Sequence, residues 1–271
     1  MLLAQISDLH VRPTGQRYKE AVDSNRMFAD AVEHLNRLDP RPDLVLITGD
    51  LVDEGLPAEY ESLRGLLAKL ELPCLLMPGN HDDRDTLVRC FPDHAYLPAH
   101  GPKHFVIERP PLRIVAFDTT VPGDHHGAVD EAGLAWLDQV LQAAPGAPTL
   151  VLLHHPPIVT GIPYLDKYMC REPERLAAVI GRYPNIERVL CGHVHRPILR
   201  RWAGTLLVSC PSTATQIALD LRPDAQPASF CEPPACLLHW WHDGAHGGAK
   251  GGAIVTHTSY IGHFEGPYPF A

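Results

Sequence analysis

No apolar run in this chain approaches the ~20 residues that a membrane-spanning helix needs, which argues against an integral helical membrane protein. The 7 cysteines are odd in number and none stands at CxxC spacing, so neither a zinc ribbon nor a disulfide scaffold is expected. Cys231 and Cys236 lie close in sequence, and they too read as loop and core thiols. Positive charge is in deficit, with 23 Lys and Arg against 32 Asp and Glu and a net charge of −9. Proteins that grip a nucleic-acid polymer usually display a basic face, because neutralising phosphates supplies most of the non-specific affinity; a small-molecule substrate fits this balance better. The chain also lacks an internal repeat, a low-complexity linker, and a basic start with a cleavage site. Reduced thiols without a leader predict a cytoplasmic setting away from the membrane.

What the chain has is five short motifs in a fixed order: Asp8-x-His10, Gly49-Asp50, Gly79-Asn80-His81-Asp82, His154-His155-Pro156-Pro157 and Gly192-His193-Val194-His195. Any one of them is commonplace, as a turn, a cap or a strand end. Five in series are hard to reach by chance. Each follows a short apolar run, Leu2 to Ile6, Leu44 to Ile47, Cys74 to Met77, Leu150 to Leu153 and Val189 to Cys191, and such runs ended by Gly or Pro read as buried strands. The motif side chains then converge at the ends of strands that are far apart in sequence.

Carboxylate and amide oxygens mixed with imidazole nitrogens suit borderline divalent ions such as Mn, Fe, Zn or Co. Asp8, His10, Asp50, Asn80, His154, His193 and His195 supply seven groups, about right for two ions roughly 3.5–4 Å apart with Asp50 shared between them. Water held between two such ions can act as a nucleophile near neutral pH, so the protein itself need not provide one. His81, beside Asn80, is expected to stabilise the transition state or donate a proton. Asp82 and His155, and Asp118 after the run Ile114 to Phe117, are expected to orient ligands. Asn80, His81 and His195 should face the substrate, joined by Tyr18; Arg12 and Arg17 are placed to contact a phosphate or leaving group.

Over Asp8 to His195 these motifs resemble the calcineurin-like metallophosphoesterases, and within them the bacterial cyclic-nucleotide phosphodiesterase and glycerophosphodiesterase branch. The resemblance implies an α/β fold, a four-layer αββα sandwich of two mixed sheets flanked by helices. It further implies one ion at Asp8, His10, Asp50 and His195 and a second at Asp50, Asn80, His154 and His193, with a small phosphodiester as substrate. The tail, Pro234 to His239 and Gly266 to Tyr268, is similar to the glycerophosphodiesterase group, which implies a homodimer or larger assembly. A phosphomonoesterase or protein phosphatase on the same scaffold is the alternative, followed by a non-catalytic scaffold, which would be missing ligands.

With 271 residues, 45% of them hydrophobic, the chain is expected to form one domain, 1–271. Its metal-binding core is placed at 1–203, and C-terminal strands that shape oligomer contacts or substrate access at 204–271. Asp23 and Ser24 cap a helix carrying Phe28, Ala31, Val32 and Leu35; a second follows Pro57 with Tyr60, Leu63, Leu67 and Leu70; Asp130 caps a third and Pro173 opens a fourth. Leu199 to Ser209 and Ala253 to Ile261 are expected to complete one sheet, with Asp220 to Pro234 irregular and a glycine-rich hairpin tip at 244–252. Histidines 239, 242, 246, 257 and 263 are expected on the surface. The apolar stretch Ile158 to Met169 is expected either to wall a pocket near the metals or to pack under a helix.

Overall fold

The structure is a computed structural model that describes residues 1–244 and 252–270. Its first half runs β1 (Leu2–Ile6), α1 (Ser24–Arg37), β2 (Leu44–Thr48), α2 (Pro57–Leu67), β3 (Cys74–Met77), α3 (Arg84–Cys90), β4 (Phe105–Arg109) and β5 (Leu112–Ala116). Then follow α4 (Glu131–Gln142), β6 (Thr149–Leu152), a 3-10 turn (Leu165–Lys167), α5 (Pro173–Ile180), β7 (Ile186–Cys191), β8 (Ile198–Trp202), β9 (Thr205–Ser209), β10 (Gln216–Ile217), β11 (Ser229–Phe230), β12 (Ala235–His242) and β13 (Ala253–Tyr260).

One sheet has the order β13-β12-β1-β2-β3, a second has β4-β5-β6-β7-β9-β8, and β10 and β11 pair separately. β1, β2 and β3 are parallel, as are β5, β6, β7 and β9, so the strands that precede the motifs all point the same way within their sheet. Successive side chains on a strand face opposite sides. Ile114 and Ala116 of β5, with Leu150 and Leu152 of β6, join the core shared with β1, β2, α1 and α2. Their neighbours Val115 and Val151 join Leu134, Leu137, Leu141, Leu176 and Ile180 of α4 and α5. That alternation generates the mixed α/β layering, with two large sheets between helical layers.

The helices form where caps and apolar faces place them. Asp23 accepts from Arg26 N and Asp130 from Gly133 N, while Pro57 and Pro173 open α2 and α5. Leu67 and Leu70 are only partly buried, so the inward stripe of α2 is carried by Tyr60 and Leu63. Two readings are corrected, and two elements are added. Leu199 to Ser209 is a hairpin in the second sheet, whereas Ala253 to Tyr260 completes the first, because β9 enters parallel to β7 and β13 folds back on β12. α3 and β4 were not anticipated; α3 is a short helix capped by Asp83, too brief to show periodicity. His239 is fully buried, bonded to Gln5 and Thr256; on the alternating β12 it faces inward, while His257 and His263 are exposed. Glycines 247, 248 and 251 of the expected hairpin tip, and His246, lie outside the described residues.

Candidate metal centre

The site is built from backbone that ordinary residues avoid. Asp8, His10, Asp50, His193 and His195 all have left-handed φ, between 46° and 70°, a conformation that costs a non-glycine residue about 1 kcal/mol or more. Short hydrogen bonds between loops hold them there. Leu9 N and His10 N donate to Asp50 O at 2.8 and 3.1 Å, Ser24 and Ser212 hydroxyls donate to His10 O and Asp8 O at 2.7 Å, and His193 N donates to the Asp8 carboxylate at 2.9 Å. The motif glycines are steric necessities. A Cβ on Gly79 would fall on the amide nitrogen and carboxylate of Asp50, and one on Gly192 would fall on Ser7 Oγ and 2.8 Å from Thr48 O.

These loops bring all seven expected groups together in two clusters that share Asp50. In the first, His10 Nε2 and His195 Nε2 are 3.1 Å apart, His195 Nε2 is 3.4 Å from Asp8 Oδ1, and His10 Nε2 is 3.8 Å from Asp50 Oδ2. In the second, Asn80 Oδ1 lies 3.1 Å from His154 Nε2 and 2.9 Å from His193 Nδ1, and Asp50 Oδ1 is 3.3 Å from His154 Nε2. Tautomers follow from the outer partners: His154 Nδ1 donates to Thr48 O and His195 Nδ1 to Thr215 O, both at 2.8 Å. Their Nε2 atoms therefore point inward.

The electrostatics describe a place for cations. Burial lowers the pKa of His10, His193 and His195, the last to about 4, so these rings are neutral near pH 7. Burial works against the charge of Asp50 as well, but His154 and His81 outweigh it and hold the carboxyl well below its usual range. His154 shows the counterpart: burial disfavours its proton, yet Asp50 and Asp8 push it up to about 9. With Asp53 3.4 Å from His10 Nδ1 and Thr215 O accepting from His195 Nδ1, the two Nε2 atoms face each other at 3.1 Å amid carboxylates; a divalent ion would satisfy them together. The donor set of both clusters fits such ions.

Around the clusters, Asp82 accepts from Leu51 N at 3.0 Å and Gly79 N at 2.8 Å, and Tyr60 OH donates to it at 3.0 Å, tying the Asp50 loop to the Asn80 loop. Burial and the nearby Asp50 push its carboxyl up to about 7. His155 bonds Thr119 Oγ1 at 2.8 Å and packs its ring 4.6 Å from His193. Asp118 does not orient a ligand: it accepts from Lys103 N and Thr120 N and pairs with Arg84 at 2.7 Å, because β5 ends a loop away from the clusters. Arg12 is likewise committed elsewhere, 2.9 Å from each of Asp53, Glu54 and Glu59. Tyr18 is 4% exposed and its ring stacks on His10 at 4.6 Å, so it supports that imidazole and shows only an edge to the cavity. Arg17 stands at the cavity lip.

Two residues escaped the sequence reading. Asp53 lies 3.4 Å from His10 Nδ1 and its carbonyl accepts from His81 Nδ1 at 2.6 Å; its position three residues after Asp50 was the available signal. His125 lies 3.2 Å from Asn80 Nδ2 through its Nδ1, from a Gly- and Pro-containing loop with no periodic or motif signal. The cavity above the clusters holds about 450 Å³ and is lined by His81, His125, Tyr164, Tyr168 and Ile217 among others. Of the stretch after His155, then, Tyr164, Leu165 and Tyr168 wall the pocket, while Ile158 packs into the core beneath α4 and α5.

Comparison with known proteins agrees with this geometry. The model of the calcineurin-like phosphoesterase family matches residues 1–197. A probable glycerophosphodiester phosphodiesterase of Arcobacter nitrofigilis is 36% identical over 271 residues, covering 100% of this chain and 97% of that protein. The 3′,5′-cyclic adenosine monophosphate phosphodiesterase of Escherichia coli K12 is 31% identical over 214 residues, covering 79% and 76%. Among solved structures, a dimetal phosphatase from Danio rerio superposes with a TM-score of 0.61 at 14% identity, covering 97% of this chain and 99% of that one; this likeness concerns the fold.

Proposed function

Because this chain belongs to the calcineurin-like phosphoesterase family, we propose that it is a metal-dependent phosphodiesterase that hydrolyses small phosphodiesters at the two clusters joined by Asp50. The observation that carries the reading is the pair of convergent imidazole and oxygen donor sets on either side of one ionised carboxylate. Asp8, His10, Asp50 and His195 would hold one divalent ion and Asp50, Asn80, His154 and His193 the other, drawn from Mn, Fe, Zn or Co. When bound, such ions activate water and neutralise phosphoryl oxygens during in-line displacement.

The chain's own residues do the rest. His81 N donates to Asp50 Oδ1 at 3.0 Å and His81 Nδ1 donates to Asp53 O at 2.6 Å, which fixes the ring with Nε2 as its remaining polar atom on the cavity side. Burial opposes a charge on His81, but Asp50 and Asp53 raise its pKa, so it can donate a proton to a phosphoryl or leaving-group oxygen near neutral pH. The contact between Asn80 Nδ2 and His125 turns the amide so that Oδ1 faces the second cluster. His195 lines the same cavity and would touch the substrate from the opposite side.

Glycerophosphodiesters and 3′,5′-cyclic nucleotides are the substrates in the names of the relatives, and both would present one diester to the two clusters. The acidic balance of the chain favours such small molecules over nucleic-acid polymers. Exposed Tyr260, Phe264, Tyr268 and Phe270 support a homodimer or larger assembly built on the C-terminal segment. Seven free thiols support a reducing, cytoplasmic setting; among the described residues no helix is long and apolar enough to cross a membrane.

The test is hydrolysis of bis-nitrophenyl phosphate, nitrophenyl phosphate, glycerophosphoethanolamine and cyclic AMP by metal-stripped protein before and after loading with Mn. Diester turnover should appear only with metal and fall by about a hundredfold or more in Asn80→Ala and in His81→Ala. Failure to hydrolyse any diester with metal present would sink the reading, and a preference for the monoester would replace it with a phosphomonoesterase.

A further inference from the structure

The cavity has a wall that the hydrolytic chemistry does not require. From His81 outward, four rings follow one another: His81 to His125 with centroids 5.5 Å apart, His125 to Tyr168 at 6.0 Å, and Tyr168 to Tyr164 at 5.4 Å. All four line the cavity. The outer two are presented by a segment that also anchors a small core. Ile162 and Met169 pack there with Val194, and Leu165 and Ile217 belong to that core while also lining the cavity; Tyr164 and Tyr168, four residues apart, are half-buried against the cavity, Tyr164 touching the core as well. The segment is held in place by Asp166, which accepts from Thr160 N and Thr160 Oγ1 at 2.7 Å and from Gly161 N at 3.0 Å. Among the described residues, the phenol oxygens of Tyr164 and Tyr168 have no protein hydrogen-bond partner, so no bond within the fold explains tyrosine at these positions.

The opposite lip decides what such a wall would read. Arg12 is bound by three carboxylates and lends the cavity no free charge. The other charged groups at the lip mix both signs, Arg17 and Lys19 with Glu20; Arg17 donates to Ala21 O at 3.1 Å and Lys19 Nζ sits 5.0 Å over the Tyr18 ring. This lip favours neither an ammonium head group nor a second phosphate. The recognition surface left is π surface, which stacks on any flat ring and gains little from a glycerol chain.

Resting on the phosphodiesterase reading, we propose that Tyr164 and Tyr168 are specificity-determining residues that stack on the planar ring of a nucleoside esterified to the phosphate at the clusters. Diesters carrying a nucleobase, cyclic or linear, are thereby favoured over those carrying only glycerol or ethanolamine. His125 continues the same surface inward, so a base on the tyrosines leaves its phosphate beside His81.

The experiment compares kcat/KM for cyclic AMP, thymidine 5′-nitrophenyl phosphate and glycerophosphoethanolamine in the Mn-loaded protein, in Tyr164→Leu/Tyr168→Leu and in Tyr164→Phe/Tyr168→Phe, with melting temperatures to confirm folding. The ratio of nucleoside diester to glycerophosphoethanolamine should fall about tenfold or more in the leucine variant, mainly through KM, and return in the phenylalanine variant. If only one nucleoside diester responds, that one is the form the wall accepts. An unchanged ratio, or equal losses on all substrates, overturns the proposal. Calorimetric binding of adenosine 5′-monophosphate and glycerol 3-phosphate to the same proteins reads the wall without turnover. A preference of about tenfold for the nucleotide that disappears in the leucine variant upholds the wall even if no diester is hydrolysed, which would defeat the diesterase reading alone. Equal binding of the two probes by the parent protein overturns it.

Discussion

Gly79 shows how little room the centre leaves at the scale of a single residue. Any side chain there meets the backbone nitrogen and carboxylate of Asp50, and neither can withdraw, because Asp50 O accepts from the amides of Leu9 and His10. Gly79→Ala should cost about 1–3 kcal/mol of stability, as overpacking does, and should lower the metal content below that of the parent protein. Melting temperature and metal analysis of the purified variant check both; a variant with full metal and an unchanged melting temperature would show that the loop yields. Asp82 illustrates what sequence reading could and could not supply. Its adjacency to Asn80 and His81 marked it as an orienting group, but its bonds to Leu51 N and Gly79 N join two loops, and only the fold makes them neighbours. Asp118 followed an apolar run just as the ligands do, yet its partners are Arg84, Lys103 and Thr120.

At the scale of elements, β12 carries a device that periodicity alone left undetected. His239 faces inward from β12, its Nε2 lying 3.1 Å from Gln5 Oε1 on β1 and its Nδ1 2.9 Å from Thr256 Oγ1 on β13. Burial, with a smaller contribution from Arg188, pushes its pKa down to about 3. The folded state therefore binds fewer protons than the unfolded chain between pH 6.5 and about 3, so stability is lost as pH falls through that window, at up to about 1.4 kcal/mol per pH unit. His239→Gln keeps hydrogen-bonding capacity without the titration and should flatten this limb; urea midpoints from pH 7 to 4 check it, and parallel curves for the two proteins would refute it. The same alternation of side chains sorts β5 and β6 between two cores, which explains why their runs read as continuously apolar.

For the whole molecule, the important fact is where the proposed ligands come from. Asp8, His10, Asp50 and Asn80 follow strands of one sheet, whereas His154, His193 and His195 follow strands of the other. Ions bound there would cross-link the two sheets and stabilise only the folded state. Metal at about a hundred times its dissociation constant adds roughly 2.7 kcal/mol. Chelation should therefore lower the melting temperature by about 5–10 °C, and Mn should restore it. Asn80→Ala should show a smaller rise on reloading. Equal melting temperatures with and without metal would mean that the clusters do not hold ions in the folded protein.

The sequence by itself determined the inventory of candidate metal-binding side chains, the strands that end at them and the helices α1, α2, α4 and α5, because each depends on residue chemistry and on periods of two or 3.6 residues. The tertiary structure alone decided which sheet β13 would join, that Arg12 would be neutralised by Asp53, Glu54 and Glu59, and that His125 would meet Asn80. The last two depend on contacts between segments 41 to 47 residues apart, and the first on β12 pairing with β1 from the other end of the chain; no local pattern encodes either. They are fixed only when two sheets close face to face and bring the ends of their parallel strands to a common rim.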